Sequence, residues 1–137
     1  MNYLDAKAQC ESDGAYLATP RSDAENDFIA GLLPSKNIWI GINDIDEEGK
    51  YVSVDGLDVS YTKWFPKLSF WAPNGQPDNF LNSNGMDEDG VSIIRSTWND
   101  QSSRFWDDVF ITNLFQFVCI YNLPSDYASV DYAVQTF

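Results

Sequence analysis

The residues able to do chemistry in this chain are almost all oxygen donors. Gln76-Pro77-Asp78-Asn79 sets an amide and a carboxylate on either side of a proline, and Asp87-Glu88-Asp89 adds three carboxylates further on. An acidic stretch from Asp44 to Glu48 precedes them, and Asp100 and Asp107-Asp108 follow. Side-chain oxygens converging from loops are what a hard cation such as calcium requires. The chain has no histidine, which removes Ser-His and Cys-His nucleophile pairs and every histidine-bearing zinc site. Catalysis would be left to a carboxylate pair such as Glu88 and Asp108, acting as acid and base on a glycosidic bond. A cluster this dense is better explained by metal, and no enzyme activity is expected.

At 137 residues the chain is one domain's worth and long enough to bury a core. With 15% aromatic residues it is not composed like a disordered segment. The formal charge of −13 would repel a phosphate backbone and argues against a nucleic-acid partner; a cation would relieve it. Cys10 and Cys119 are too few for a thiolate zinc cage. Paired, they would close a loop of over a hundred residues, an effect of roughly 4 to 5 kcal/mol in the chain-entropy model, and would point to an oxidising, extracellular setting. Two buried thiols are the alternative, and the count alone leaves both open. No apolar run is long enough to span a membrane. The polar start Asn2-Tyr3-Leu4-Asp5 reads as helix and not as a signal peptide, as expected of a mature form or an excised fragment.

The elements that would position these groups follow from periodicity. Tyr3, Ala6 and Cys10, with Leu4 and Ala8 beside them, repeat at helical spacing up to Asp13-Gly14, a first helix with a glycine stop. Ala15 to Ala18 is a short extended link. Ser22-Asp23-Ala24-Glu25 is a capping box opening a second helix with Phe28, Ile29, Leu32 and Leu33 on one face, ended by Pro34. Ile38 to Ile42 suits a buried strand, and Lys50 to Val54 alternates like another beyond the acidic turn 43–49. Val91 to Ile94, Arg104 to Trp106 and Phe115 to Cys119 look like three more. Residues 57 to about 88 hold Pro66, Pro73, Pro77, Gly75 and Gly85 without a period, a loop of a length that is usually functional. In the tail, Val130, Tyr132 and Val134 alternate, which fits either a disordered tail or an added edge strand.

Two early helices, Trp39-Ile40-Gly41, Gln76-Pro77-Asp78 and a late Trp-Asp-Asp before the second cysteine, in that order, resemble the C-type lectin-like domain family over about residues 1 to 121. The resemblance implies an α+β fold: two helices packed on short, mostly antiparallel sheets, with a long loop carrying calcium and ligand. Residues 122 to 137 would be a C-terminal tail or an added edge strand. It implies a cis linkage at Pro77 that aims both neighbouring side chains at one ion, with Gln76 and Asp78 as ligands and Glu88 as the next. It also implies that Cys10 and Cys119 pair. The Gln-Pro-Asp order is the version associated with galactose-type sugars; exchanging which flank carries the amide exchanges donor and acceptor around a bound diol. Phe80 lies where galactose-type members carry an aromatic that packs on the sugar's apolar face, its alternative being a loop residue plugged into the core.

The last ligand pair has two candidates, Trp98-Asn99-Asp100 and Trp106-Asp107-Asp108. Counting forward from Glu88 favours the first. Counting back from Cys119 favours the second, which is preferred here, with residues 95 to 104 as a lengthened hairpin. Asp107 then stands where the family usually has asparagine, which adds charge for calcium and removes a donor to a sugar hydroxyl. Asp44, Glu48, Asn79 and Asp89 match an auxiliary cation site of calcium-rich members; a solvated turn is the alternative for Asp44 to Glu48. Gly90 and Ile111 occupy the positions of the family's second disulfide, and the family's leading strand before the first helix is missing. Trp39 and Trp106 are expected in the core, with Trp64 and Trp71 open between core and sugar platform. The resemblance thus implies a secreted or extracellular domain that binds a glycan ending in a galactose-type sugar through one or two calcium ions. The sugar would be held by Gln76, Asp78, Phe80, Glu88 and Asp107, and oligomerisation for avidity is compatible with this. The alternative is a protein- or surface-binding module of the same fold with structural calcium or none.

Overall fold

The computed structural model describes residues 1–33, 37–64, 89–94, 104–121 and the strand 132–135. The first helix, α1, spans Tyr3–Ser12. Asn2 caps it by accepting the Asp5 N–H at 2.8 Å, satisfying one of the unpaired donors of a helix start. Its inward face is Tyr3, Ala6 and Cys10, whereas Leu4 and Ala8, expected beside them, are exposed. Gly14 at φ +77° turns the chain away, a backbone conformation suited to glycine.

The second helix, α2, spans Asp23–Leu32. The capping box forms: the Ser22 hydroxyl oxygen accepts the Glu25 N–H at 3.1 Å. Its buried face differs from the expected one. Ile29 and Leu33 face the core and Leu32 packs against it half-buried, as expected, but Phe28 is 50% exposed, and the remaining inward positions are Asn26 and Ala30. Asn26 is buried because both ends of its amide are used: Nδ2 donates to the Arg104 carbonyl at 2.7 Å, and Oδ1 accepts the Trp106 indole N–H at 2.7 Å. Leu33, just past the helix, is extended, as the residue before a proline prefers.

The sheet is built on β2, Asn37–Asn43. It pairs antiparallel with β3 (Val52–Ser53) and β4 (Gly90–Ile94), and parallel with β6 (Gln116–Ile120). β4 carries β5 (Trp106–Val109), and β6 carries β1 (Tyr16–Leu17) and β7 (Tyr132–Gln135). Three expectations change. The strand expected over Lys50 to Val54 pairs only at Val52–Ser53; the link at Ala15 to Ala18 holds a paired strand; and the strand expected at Arg104 to Trp106 begins at Trp106 and runs on through Asp107 and Asp108. β7 joins β6 antiparallel, with Phe117 opposite Gln135 and Ile120 opposite Tyr132, so of the two readings of the tail the added strand is the one observed at these positions.

The apolar run of β2 reflects burial on both faces. Ile38, Ile40 and Ile42 pack with Ile29, Ala30 and Leu33 of α2 and with Val91, Ile93, Trp106 and Val118. Trp39 packs on the other side with Tyr3, Ala6 and Cys10 of α1 and with Leu17, Val109, Phe117 and Cys119. Trp39 and Trp106 are fully buried, as expected. Gly41 is required by close approach: a Cβ there would lie 2.5 Å from both the Leu17 carbonyl and the Thr19 hydroxyl. Cys10 and Cys119 form a disulfide joining α1 to β6 across 109 residues. No helix among the described residues is long and apolar enough to cross a membrane.

Candidate metal centre

The acidic stretch after β2 is folded into a tight turn by its own backbone. Asn43 anchors the turn at one end: its Nδ2 donates to the Tyr3 hydroxyl at 3.1 Å and its Oδ1 accepts the Ile45 N–H at 3.1 Å. Asp44 follows, 1% exposed, with Oδ2 accepting the Gly49 N–H at 2.9 Å. Gly49 sits at φ +82°, the left-handed region that lets the chain reverse here. The Lys50 N–H donates to the Glu47 carbonyl at 3.0 Å and completes the turn.

A second connection brings in the far strand. The Asp44 N–H donates to the Asp89 carbonyl at 3.1 Å, at the entry to β4. Carboxylate oxygens of Asp44, Glu48 and Asp89 consequently lie within 4.8 Å of one another. Asp44 is buried, Asp89 half-buried and Glu48 exposed, so the group opens on one side. Asp44 Oδ1 is buried without a hydrogen-bond partner among the described residues. A buried carboxylate oxygen left so is costly, and three acids at this separation repel one another. An all-oxygen donor set that includes the orphaned Asp44 Oδ1 is suited to a hard divalent cation, which would relieve both costs.

Tyr51, four residues beyond Glu47, faces the charge of the group. Burial pushes its phenol pKa up, and the carboxylates of Asp108, Asp44, Glu48 and Asp89 push it further, so Asp108 on β5 and the trio all lie within electrostatic reach of the Tyr51 hydroxyl. Asp108 is fully buried and opposes Val91 across the β4–β5 ladder, while Asp107 opposes Ser92 and is half-buried. Trp64 stacks edge-on to both Tyr51 and Trp106; of the two tryptophans left open, it is a packing residue.

Of the residues expected at the sites, Asp44, Glu48 and Asp89 are brought together, and Asp107 and Asp108 lie on β5. Gln76, Asp78, Asn79, Phe80 and Glu88, with Pro77, Trp71, Asn99 and Asp100, lie outside the described residues. The missed residues are Asn43 and Tyr51. Asn43 was legible as an amide bounding an acidic turn; Tyr51 read only as a strand position, since its neighbours are distant in sequence. At the positions of the family's second disulfide, a Cβ on Gly90 would lie 3.2 Å from Ile111 Cγ2 and 2.9 Å from the Trp39 ring, so the two positions are adjacent and the space is filled.

The chain matches the family model "Lectin C-type domain" over residues 1–121. It is 37% identical over 100 residues to the mouse protein C-type lectin domain family 4 member F, a match that covers 73% of this chain and only 17% of that relative's length. The mouse scavenger receptor C-type lectin carbohydrate-recognition domain shares its fold with a TM-score of 0.68 at 27% identity, covering 86% of this chain and 80% of that one. A calcium-independent type II antifreeze protein shares the fold as well, with a TM-score of 0.68 at 22% identity over 87% and 77% of the two chains. The chain belongs to the C-type lectin domain family.

Proposed function

We propose that this domain binds carbohydrate in a calcium-dependent way, with a preference for galactose-type sugars, outside the cell. The observation that carries the calcium half is the Asp44 carboxylate, whose buried Oδ1 has no hydrogen-bond partner among the described residues and which lies within 4.8 Å of the Glu48 and Asp89 carboxylates. Asp44, Glu48 and Asp89, with Asn79, would hold one ion. Gln76, Asp78, Glu88, Asp107 and Asp108 would hold the second, the one that meets the sugar. Calcium there would supply direct coordination of a vicinal diol, while the carboxylates accept and the Gln76 amide donates hydrogen bonds around it. The carbohydrate half is supported by the family and by relatives named for carbohydrate recognition; the galactose preference rests on Gln76-Pro77-Asp78 and Phe80. The disulfide and the extracellular setting of such domains agree with secretion or display outside the cell.

The test is a glycan array read with calcium and with chelator. Binding that calcium switches on and free galactose competes away supports the proposal. Because an ion that binds only the folded chain stabilises it, by about 2.7 kcal/mol at a hundredfold excess over Kd, a melting curve unmoved by calcium or chelator defeats it.

A second reading is a protein- or surface-binding module in which calcium is structural or absent. Asp107 favours it by removing a donor to sugar, and the calcium-independent antifreeze protein has this fold without calcium dependence. Capture of a protein partner in chelator would support it.

A further inference from the structure

The two edges of β6 are filled in different ways. On one edge β6 meets β1 antiparallel and β2 parallel, and there the Ala18 N–H donates to the Val118 carbonyl at 2.9 Å. Backbone groups of successive strand residues point to opposite edges, so those of Phe115, Phe117 and Cys119 face the other edge. Met1 takes the first of these: its carbonyl accepts the Phe115 N–H at 3.0 Å, and its amino group donates to the Phe115 carbonyl at 3.2 Å. β7 takes the rest, with Gln135 opposite Phe117 and Ala133 opposite Cys119. Among the described residues β6 is the one strand that β7 pairs with. The connection between them is longer than this pairing needs. β6 ends at Ile120 and β7 begins at Tyr132; two residues suffice to close an antiparallel hairpin, and eleven stand between these strands. At roughly 3.3 Å per residue they can reach about 36 Å, comparable with the diameter of a small domain. Leu114, 75% exposed, and Tyr121, 36% exposed, stand just beyond the two ends of β6, so apolar surface beside the ladder is left open to solvent.

We infer that the outer edge of β6 is a strand-acceptor site shared between copies of this chain, and that two copies assemble by exchanging β7. Each β7 then pairs with β6 of the other copy, in the register it has here on its own. Main-chain hydrogen bonds supply the attraction, as they do wherever an extended segment adds to a sheet edge. The exchanged and unexchanged forms contain the same ladder bonds. They differ in the path of residues 121–131 and in the entropy of association, so exchange reaches a dimer without requiring a new interface. A second copy brought to this edge also covers Leu114 and Tyr121, the apolar side chains that flank it. The resulting pair carries the candidate site twice, which is the arrangement that gains avidity on a multivalent target.

Light scattering on the size-fractionated full chain tests this, in chelator so that the result does not depend on the calcium reading. The wild type is expected to show the monomer and a species of twice its mass, the second growing with protein concentration. Replacing residues 122–130 by Asn-Gly places a type I′ turn between Tyr121 and Asp131, which holds β7 on its own β6. That variant keeps every surface outside the connection and is expected to lose the doubled species. Deleting residues 122–131 instead joins Tyr121 directly to Tyr132 and forbids the fold-back, so the deleted chain is expected wholly at twice the monomer mass. Ala133→Pro removes a ladder N–H and is expected to abolish the dimer by a separate route. A wild type of single mass at every concentration overturns the inference, as does a dimer that persists in the Asn-Gly variant or in Ala133→Pro, or a deleted chain that folds as a monomer. If the deleted chain does not fold, the wild type and the other two variants still decide between exchange and its absence.

Discussion

The backbone N–H of Asp44 donates to the carbonyl of Asp89 at 3.1 Å, which makes the turn after β2 and the entry to β4 a single unit although 45 residues separate them in the chain. The bond fixes two carboxylates near a third, and Asp44 Oδ1 is buried with no hydrogen-bond partner among the described residues. Asp44→Asn keeps an oxygen for the Gly49 N–H and deletes one of the crowded charges. In chelator the variant should be more stable than the wild type by about 1 kcal/mol, a low-end figure for relieving a buried polar group. In calcium the order should reverse, because the wild type gains an ion that the variant binds weakly. Melting curves of both proteins under both conditions check the crossing; a variant that responds to calcium as the wild type does removes Asp44 from the site.

Asn26 bridges α2 to β5 by accepting from the Trp106 indole and donating to the Arg104 carbonyl, both at 2.7 Å. Asn26→Ala strands a buried N–H and a carbonyl together, and should cost about 2–4 kcal/mol. Asn26→Asp still accepts from the indole but cannot donate to Arg104, and it introduces a charge where the side chain is fully buried. It should therefore be no better tolerated. Denaturant unfolding at constant slope reads both.

That amide also explains what the sequence could and could not reveal. α1, α2, β2, β4 and β6 follow from apolar periods and caps that are local, and each falls within a few residues of its expected place. Asn26 and Phe28 exchange roles because a buried amide needs partners that lie 78 and 80 residues away, which no local pattern carries. β5 was displaced for a related reason: Asp107 and Asp108 read as ligands, and acids are poor strand formers by propensity, yet the ladder to β4 places them in the sheet. The trio at Asp44, Glu48 and Asp89 was legible only through resemblance to a family, since the turn alone is indistinguishable from a solvated one. Tyr51 was not legible at all, because its importance lies in what stacks on it.

The exposed face of α2 provides a pH signature. The Tyr61 hydroxyl donates to Asp23 Oδ1 at 2.6 Å and Lys63 Nζ approaches the same oxygen at 3.2 Å. The Tyr61 hydrogen bond, then the Lys63 hydrogen bond and charge, hold the Asp23 carboxyl below its usual value. A carboxyl lowered on folding favours the folded state above its unfolded pKa, about 3.9. The contribution is therefore complete at neutral pH and is lost as pH falls through the folded value. Tyr61→Phe should raise the Asp23 titration toward the ordinary range, and so should Lys63→Met. Carboxyl chemical shifts followed from pH 6 to 2 check this, with little change in melting temperature at pH 7 because Asp23 is fully exposed to solvent.

The disulfide joins the first helix to the strand that receives β1, β2 and β7. Its closure of 109 residues restricts the unfolded chain more than any local contact does, so most of its effect belongs to the unfolded state. Replacing Cys10 and Cys119 together by alanine should cost roughly 4 to 5 kcal/mol in the chain-entropy model, a large share of the stability of a domain of this size. Both sulfurs are buried in the cluster around Trp39, and alanine adds a cavity penalty there. The unfolded ensemble of the variant should also be more expanded, so the denaturant slope should rise as the midpoint falls. A midpoint that falls at constant slope would locate the loss in the folded packing around Trp39, and a midpoint that does not move would mean that the helix and strand are held in place without the covalent link.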